Sequence, residues 1–260
     1  MSRTLAWFSA GAASAVATML TLKEGPAEIV YCETGAEHPD NARFITDCEK
    51  WFGQTITRIR SDKYADTWDV FRRGRYLAGV GGAKCTTVLK KAPRLAFQRP
   101  TDRHVFGYTA DGSDQKRFRA FKQNFPELSV RAPLIERNLN KANVLAIVQS
   151  AGIALPAMYL LGFHNNNCIP CVKASSPNYW ALVRREFPAE FARMVALSRE
   201  LNVRLTMIKG ERRFIDEIPV DWPVNNPIAP ACDFMCEVGA DESVADAHPL
   251  FAATLQAGAA

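Results

Sequence analysis

The chain has 260 residues, 48% of them hydrophobic and 23% charged, proportions that exclude a disordered or fibrous chain and allow a core that needs no disulfides. Lys and Arg number 32 against 27 Asp and Glu, a formal charge of +5, which suits an anionic ligand without demanding nucleic acid. The apolar stretch from Thr4 to Met19 is broken by Ser9, Gly11 and Ser14 and lacks a signal-peptide cleavage pattern, and no segment reaches the roughly 20 apolar residues of a membrane span. A cytoplasmic protein that keeps away from membranes is the expectation. Its cysteines number 7, an odd count that fits free thiols in a reducing compartment, where clustered cysteines bind metal or do redox chemistry.

Leu5 to Phe8 is a short apolar run ending in Ser9-Ala10-Gly11, and helix formers follow from Ala12 to Lys23. The pattern predicts strand, tight turn and helix. Glu28 to Cys32 is a second strand candidate, Asn41 to Phe52 an amphipathic helix, and Thr55 to Arg60 a third strand. This β-α-β-α-β alternation predicts an α/β fold with a doubly wound, mostly parallel sheet and ligands at the carboxyl ends of its strands. Thr86 to Gln98 reads as helix, His104 to Tyr108 as strand, and Asp114 to Asn124 and Asn140 to Ala151 as helices. Tyr179 to Leu201 is a long helix interrupted near Pro188, and Asp221 to Pro230, with three prolines, is an irregular connection. The simplest division is a nucleotide-binding α/β domain over residues 1–150 and a helical, cysteine-bearing region over 151–260.

Four segments carry chemistry. Ser9 to Ser14 is a small-residue turn whose backbone N–H groups and serine hydroxyls can approach a phosphate, or which simply lets helix and sheet pack closely. Glu33-Thr34-Gly35-Ala36-Glu37-His38-Pro39 follows the second strand, where an acidic group can hold a ribose hydroxyl or Mg²⁺; the competing reading is a turn and cap before the next helix. Cys168-Ile169-Pro170-Cys171 places two thiols on one turn, half of a tetrahedral site, and Cys85 can supply a third. Cys32 and Cys48 read as core residues, and Cys232 with Cys236 stays undecided. Lys84, Lys90, Lys91, Arg94, Lys141 and Lys173 fall in or beside these motifs, where cations neutralise phosphate charge, whereas Lys116, Arg117, Arg119 and Lys122 read as a solvated face.

In this order the segments Trp7 to Ser14, Thr34 to Pro39, Cys85 to Pro93, and Asn167 to Lys173 with Tyr179-Trp180 resemble the phosphoadenosine phosphosulfate reductase-like branch of the PP-loop ATP pyrophosphatases, over roughly residues 3–200. The resemblance implies a Rossmann-like adenine-nucleotide α-hydrolase fold, with ATP, Mg²⁺ and a [4Fe–4S] cluster as cofactors. It implies nucleotide contacts from Ser9, Gly11, Ala12, Ser14, Glu33, Thr34 and Arg94, a catalytic set of Cys85, Lys90, Glu37 and His38, and cluster ligation by Cys85, Cys168 and Cys171. Where the family reads Ser-Gly-Gly-x-Asp-Ser, this chain has Ala10 and Ala13, and where cluster-bearing reductases have a tandem Cys-Cys it has Lys84-Cys85. Three thiolates leave one iron without a protein ligand, as thiolases of this superfamily are thought to require.

The leading expectation is an ATP-dependent sulfurtransferase that thiolates a nucleobase or nucleotide, served by a separate sulfur donor; assembly as a homodimer is compatible with the chain. Two alternatives stand beside it. One is a reductase of phosphoadenylyl or adenylyl sulfate using Cys232 or Cys236, and the other a non-catalytic nucleotide-binding module with structural zinc.

Overall fold

The computed structural model describes residues 2–79, 81–224 and 227–230. Strands β1 (Thr4–Phe8), β2 (Glu28–Cys32) and β3 (Thr57–Ile59) alternate with helices α1 (Ala12–Glu24) and α2 (Asn41–Phe52). Helix α3 (Thr67–Gly74) and a short hairpin of β4 (Ala78–Gly79) and β5 (Gly82–Ala83) come next. A continuous helical segment then runs through α4 (Lys84–Thr86), a π-helical turn (Thr87–Lys91) and α5 (Ala92–Phe97). The chain continues through β6 (Arg103–Phe106), α6 (Gly112–Asn124), β7 (Ser129–Arg131), α7 (Pro133–Glu136) and α8 (Lys141–Ser150). It ends in α9 (Ala157–Leu160), α10 (Pro177–Glu186), α11 (Pro188–Glu200) and a hairpin of β8 (Thr206–Ile208) and β9 (Glu211–Arg213).

The main sheet is wholly parallel, in the order β3-β2-β1-β6-β7. The protein is therefore a doubly wound α/β fold of Rossmann-like design. β1 is central, and Leu5 to Phe8 are all buried, as a strand covered on both faces must be. Side chains alternate along it: Phe8 joins Val16, Tyr31 and Phe44 under α1 and α2, while Leu5 and Trp7 pack with Val30 on the opposite face beside Phe97 and Phe106. A separate core gathers Trp68 and Phe71 of α3, Leu77, Met158, Phe163, Ile169, Val172, Trp180 and Met194.

The five elements expected first fall within a residue or two of their place, and the long C-terminal helix divides at Phe187 into α10 and α11. The Thr86 to Gln98 helix begins earlier, at Lys84, and has a π-helical middle. Strand β7 at the sheet edge and helix α3 were not expected. Strand β7 has three half-exposed or exposed residues, Ser129, Val130 and Arg131, so no apolar run marks it.

The chain leaves β1 outward to β2 and β3, then returns to the other side for β6 and β7. The order reverses between β1 and β6, and such a reversal opens a crevice at the carboxyl ends of the strands. Ser9, Glu33 and Gly107 begin the loops that bound this crevice.

Candidate functional site

The turn after β1 is held by its own side chains and by distant ones. Ser9 Oγ and Ser9 N–H both donate to Ser14 Oγ at 3.1 and 3.0 Å, and Ser14 Oγ donates to the Gly11 carbonyl at 2.9 Å. Ala10 sits at φ 55°, left-handed backbone that disfavours a side chain. Its carbonyl accepts from Asn166 Nδ2, which also donates to Asn41 Oδ1 at 2.7 Å. The Ala12 N–H, in the first turn of α1, donates to Tyr159 Oη at 3.2 Å. Two close approaches explain the glycines here: a Cβ on Gly11 would stand 3.0 Å from Tyr159 Oη, and one on Gly107 would stand 2.7 Å from the Ser14 backbone nitrogen.

Behind Tyr159 lies Lys141, 7% exposed. Its ammonium donates to Tyr159 Oη at 3.3 Å and to Asn165 Oδ1 at 3.4 Å, and stands 4.6 Å from the tyrosine ring centroid. Among the described residues it makes no ion pair. The nearest carboxylate contact is to its backbone, whose N–H donates to Asp111 Oδ2 at 2.9 Å; a buried cation without an ion pair is costly, and a bound anion would offset part of that cost.

The loop after β2 is organised by Glu37. Its carboxylate accepts from the Thr34 N–H at 2.9 Å, from the Ala36 N–H at 3.1 Å and from the Thr34 hydroxyl. Since the Thr34 hydroxyl has one proton and gives it to Glu37, the Cys168 thiol, 2.9 Å from the same oxygen, is the donor in that contact. Gly35, at φ 69°, is required because a Cβ there would stand 2.5 Å from the Ala65 carbonyl oxygen. Glu33 pairs with Arg58 on β3 at 3.4 Å. His38 Nδ1 accepts from the Asp40 N–H at 3.1 Å and its ring meets Phe187 edge-on, with centroids 6.0 Å apart.

The C-x-x-C loop docks onto both of these loops. Asn165 reaches Lys141, Asn166 holds the turn, the Ile169 N–H donates to the Ala36 carbonyl at 2.8 Å, and the Cys171 N–H donates to Tyr179 Oη at 2.6 Å. Burial pushes the Cys168 thiol up to about 11, against the pull of the Lys90 ammonium. Burial also raises Cys85, helped by Cys171 nearby. The Lys90 ammonium is surrounded by these groups: burial works against its charge, but Cys168, Glu37, Cys171 and Cys32 raise its pKa overall. Lys90 nonetheless retains solvent access, as a side chain in an open crevice does.

Of the residues expected at the site, Ser9, Gly11, Ala12 and Ser14 form the turn, Thr34 and Glu37 meet Cys168, and Cys85, Cys168 and Cys171 gather around Lys90. Glu33 turns to Arg58, and His38 spends one ring nitrogen on its own loop. Arg94 is buried at 9% exposure beside Cys32, which is partly buried and packs against the core of Leu5, Trp7 and Val30, as its sequence suggested. Cys48 is fully buried, as expected. Cys232 and Cys236 lie outside the described residues. Among the described residues no three His, Cys, Asp or Glu side chains close around a single metal position, and no helix is long and apolar enough to cross a membrane.

Tyr159, Asn166 and Asn41 were not singled out in the sequence. The run Asn165-Asn166-Asn167 directly before the C-x-x-C was the available signal, since three amides in a row at a motif supply donors and acceptors without charge.

No family model and no curated protein matches the chain. It is similar in fold to a solved phosphoadenylyl-sulfate (PAPS) reductase from Candida auris, determined as a phosphate complex. The two share 12% identity over 62% of this chain and 79% of that one, with a TM-score of 0.45.

Proposed function

We propose that the protein is an ATP-dependent sulfurtransferase that replaces a carbonyl oxygen of a nucleobase or nucleotide with sulfur. The observation that carries this reading is the docking of one loop, Asn165 to Cys171, onto the phosphate-type turn. Asn165 holds the uncompensated Lys141, Asn166 holds the Ala10 carbonyl, and Cys168 reaches Thr34. The small-residue turn, the loop after β2 and the C-x-x-C loop are therefore tied together, which supports a phosphate and a sulfur centre side by side.

In this reading the phosphates of Mg-ATP lie at the α1 N-terminus, with Lys141 supplying positive charge behind Tyr159. The Ala12 N–H is already bound to Tyr159 Oη, so an anion takes that amide only by displacing or sharing the hydroxyl. The acceptor's carbonyl oxygen attacks the α-phosphorus and pyrophosphate leaves. A hydrosulfide-class donor then attacks the activated carbon, and AMP departs with the former carbonyl oxygen. Lys90, among the thiols, stabilises negative charge on the incoming sulfur.

Cys171 lies near enough to act on both Cys85 and Cys168, and such soft thiol donors are the chemistry of iron–sulfur ligation. They would hold a [4Fe–4S] cluster, whose iron lacking a protein thiolate supplies a place for sulfide when the cluster is bound. Burial raises the thiols of Cys85 and Cys168 in the free protein, and these must lose their protons on loading, so cluster binding would release protons.

Pyrophosphate release from ATP, measured with candidate base or nucleotide acceptors and sulfide, tests the reading. Acceptor-dependent release supports it. Sulfite release from adenylyl or phosphoadenylyl sulfate without pyrophosphate release from ATP overturns it.

A further inference from the structure

Arg94 is a second buried cation whose charge the described protein leaves uncompensated. It is 9% exposed, its Nε has no hydrogen-bond partner, and among the described residues it makes no ion pair. Three aromatic rings surround it: the guanidinium carbon lies 5.4 Å from the centroid of Phe121, 5.8 Å from Phe125 and 6.0 Å from Phe106. Ring faces attract a cation but supply no net charge.

The titratable groups acting on Arg94 are Cys32, just inside the end of β2, and Tyr108, just beyond β6. Both are neutral at neutral pH. Burial lifts Cys32 to about 11 and raises Tyr108 above its ordinary range. His104 is buried with its Nδ1 accepting from Trp7 Nε1 at 3.0 Å, and Arg94 adds to the burial that keeps it uncharged. Lys90, four residues before Arg94, lies on the same helical side, and its carbonyl is 3.9 Å from Cys32 Sγ. Lys90 and Arg94 thus both approach the end of β2; the carboxylate that acts on Lys90 is Glu37, whereas the groups acting on Arg94 are the neutral Cys32 and Tyr108.

This place differs from the Ser9–Ser14 turn. The turn feeds α1 on the sheet face that carries Phe8, whereas Arg94 packs against Phe106 on the face that carries Trp7. We propose that Arg94, with Lys90 on the same side and Cys32 and Tyr108 as neutral neighbours, forms a second oxyanion site that holds the phosphate of the sulfur acceptor. The acceptor is then a phosphorylated nucleotide and not a free base or nucleoside. This rests on the thiolation reading for the role of the bound molecule, but the anion site stands on Arg94 itself.

The test is binding of inorganic phosphate, of nucleoside monophosphates and of the matching nucleosides to the full chain, by calorimetry and thermal shift, with and without a saturating non-hydrolysable ATP analogue. Monophosphates should bind the wild type at least about tenfold more tightly than Arg94→Met, because a charge-assisted hydrogen bond is lost. Nucleosides should bind both alike. The ligand-free Tm of Arg94→Met should equal or exceed the wild type's, since a methionine there removes a charge that lacked a counter-ion. If Arg94→Met does not fold, Arg94→Lys, which keeps the charge and loses the planar fork, carries the same readout. Unchanged phosphate affinity with a lowered Tm would show a purely structural arginine and overturn the proposal. Competition by the ATP analogue would overturn it too, by assigning Arg94 to ATP. Arg94-dependent monophosphate binding in a protein that releases no pyrophosphate from ATP would sink the thiolation reading while leaving this site in place.

Discussion

The two sides of the crevice solve opposite problems. On the turn side, the Ser9 N–H and hydroxyl, the Ser14 hydroxyl and the Ala12 N–H all have partners inside the protein, so the wall is built before any ligand arrives. On the β2 side, Arg94 Nε has no partner, and the thiols of Cys32 and Cys168 sit protonated near cations. Preorganised donors set geometry cheaply at the moment of binding, whereas unpaired buried groups store a cost that a ligand relieves. The division is not complete: on the turn side Lys141 makes hydrogen bonds but, among the described residues, no ion pair, and Asn41 Nδ2 and Asn166 Oδ1 are buried without a partner.

Lys141 therefore gives the largest effect with which to test the contrast. Lys141→Met should weaken ATP binding by about a hundredfold, while ligand-free stability changes by no more than about 1 kcal/mol. Calorimetry beside chemical denaturation separates the two. A large stability loss with intact ATP affinity would make Lys141 a structural residue and remove the phosphate from the turn.

The thiol side should depend on pH where the turn side does not. In metal-free protein, alkylation of Cys168 should be slow at pH 7 and climb about tenfold per pH unit until the thiol titrates near 11. The linked stability has a definite sign. The folded pKa lies above the ordinary thiol value near 9, so the unfolded chain gives up its proton first. Stability contributed by the protonated thiol is full below pH 9 and is lost between 9 and 11. Mass spectrometry of alkylated peptides and denaturation midpoints across that window check both statements, and Cys168 alkylating rapidly at pH 7 would overturn them.

The smallest effect concerns the strain in the prebuilt wall. Ala10 holds φ 55°, and glycine relieves that strain while adding freedom to the unfolded chain, so Ala10→Gly should change stability by a gain of up to about 1 kcal/mol. A thermal melt shows whether the turn tolerates the change, and a clear loss would mean that the Ala10 methyl group contributes packing that outweighs its backbone cost.

Much of this frame is written in local sequence. The apolar run Leu5 to Phe8, the small residues after it and the helix formers beyond mark the central strand and its turn, because a strand buried on both faces has few residue choices. Strand β7 and helix α3 escape notice for the opposite reason, being short and half-exposed. The site was legible in its cysteines and its turn but not in what joins them. Tyr159 reaches Ala12 across 147 residues and Asn166 reaches Ala10 across 156, and nothing local distinguishes a tyrosine or asparagine with such a partner.

The central claim is that the thiols of Cys85, Cys168 and Cys171 act together beside the phosphate turn, and metal content tests it most directly. Anaerobically purified protein should contain iron and acid-labile sulfide in the wild type and in Cys48→Ser, and should lose both in Cys85→Ser. A colourless zinc protein, or iron retained at full content in Cys85→Ser, would contradict the account.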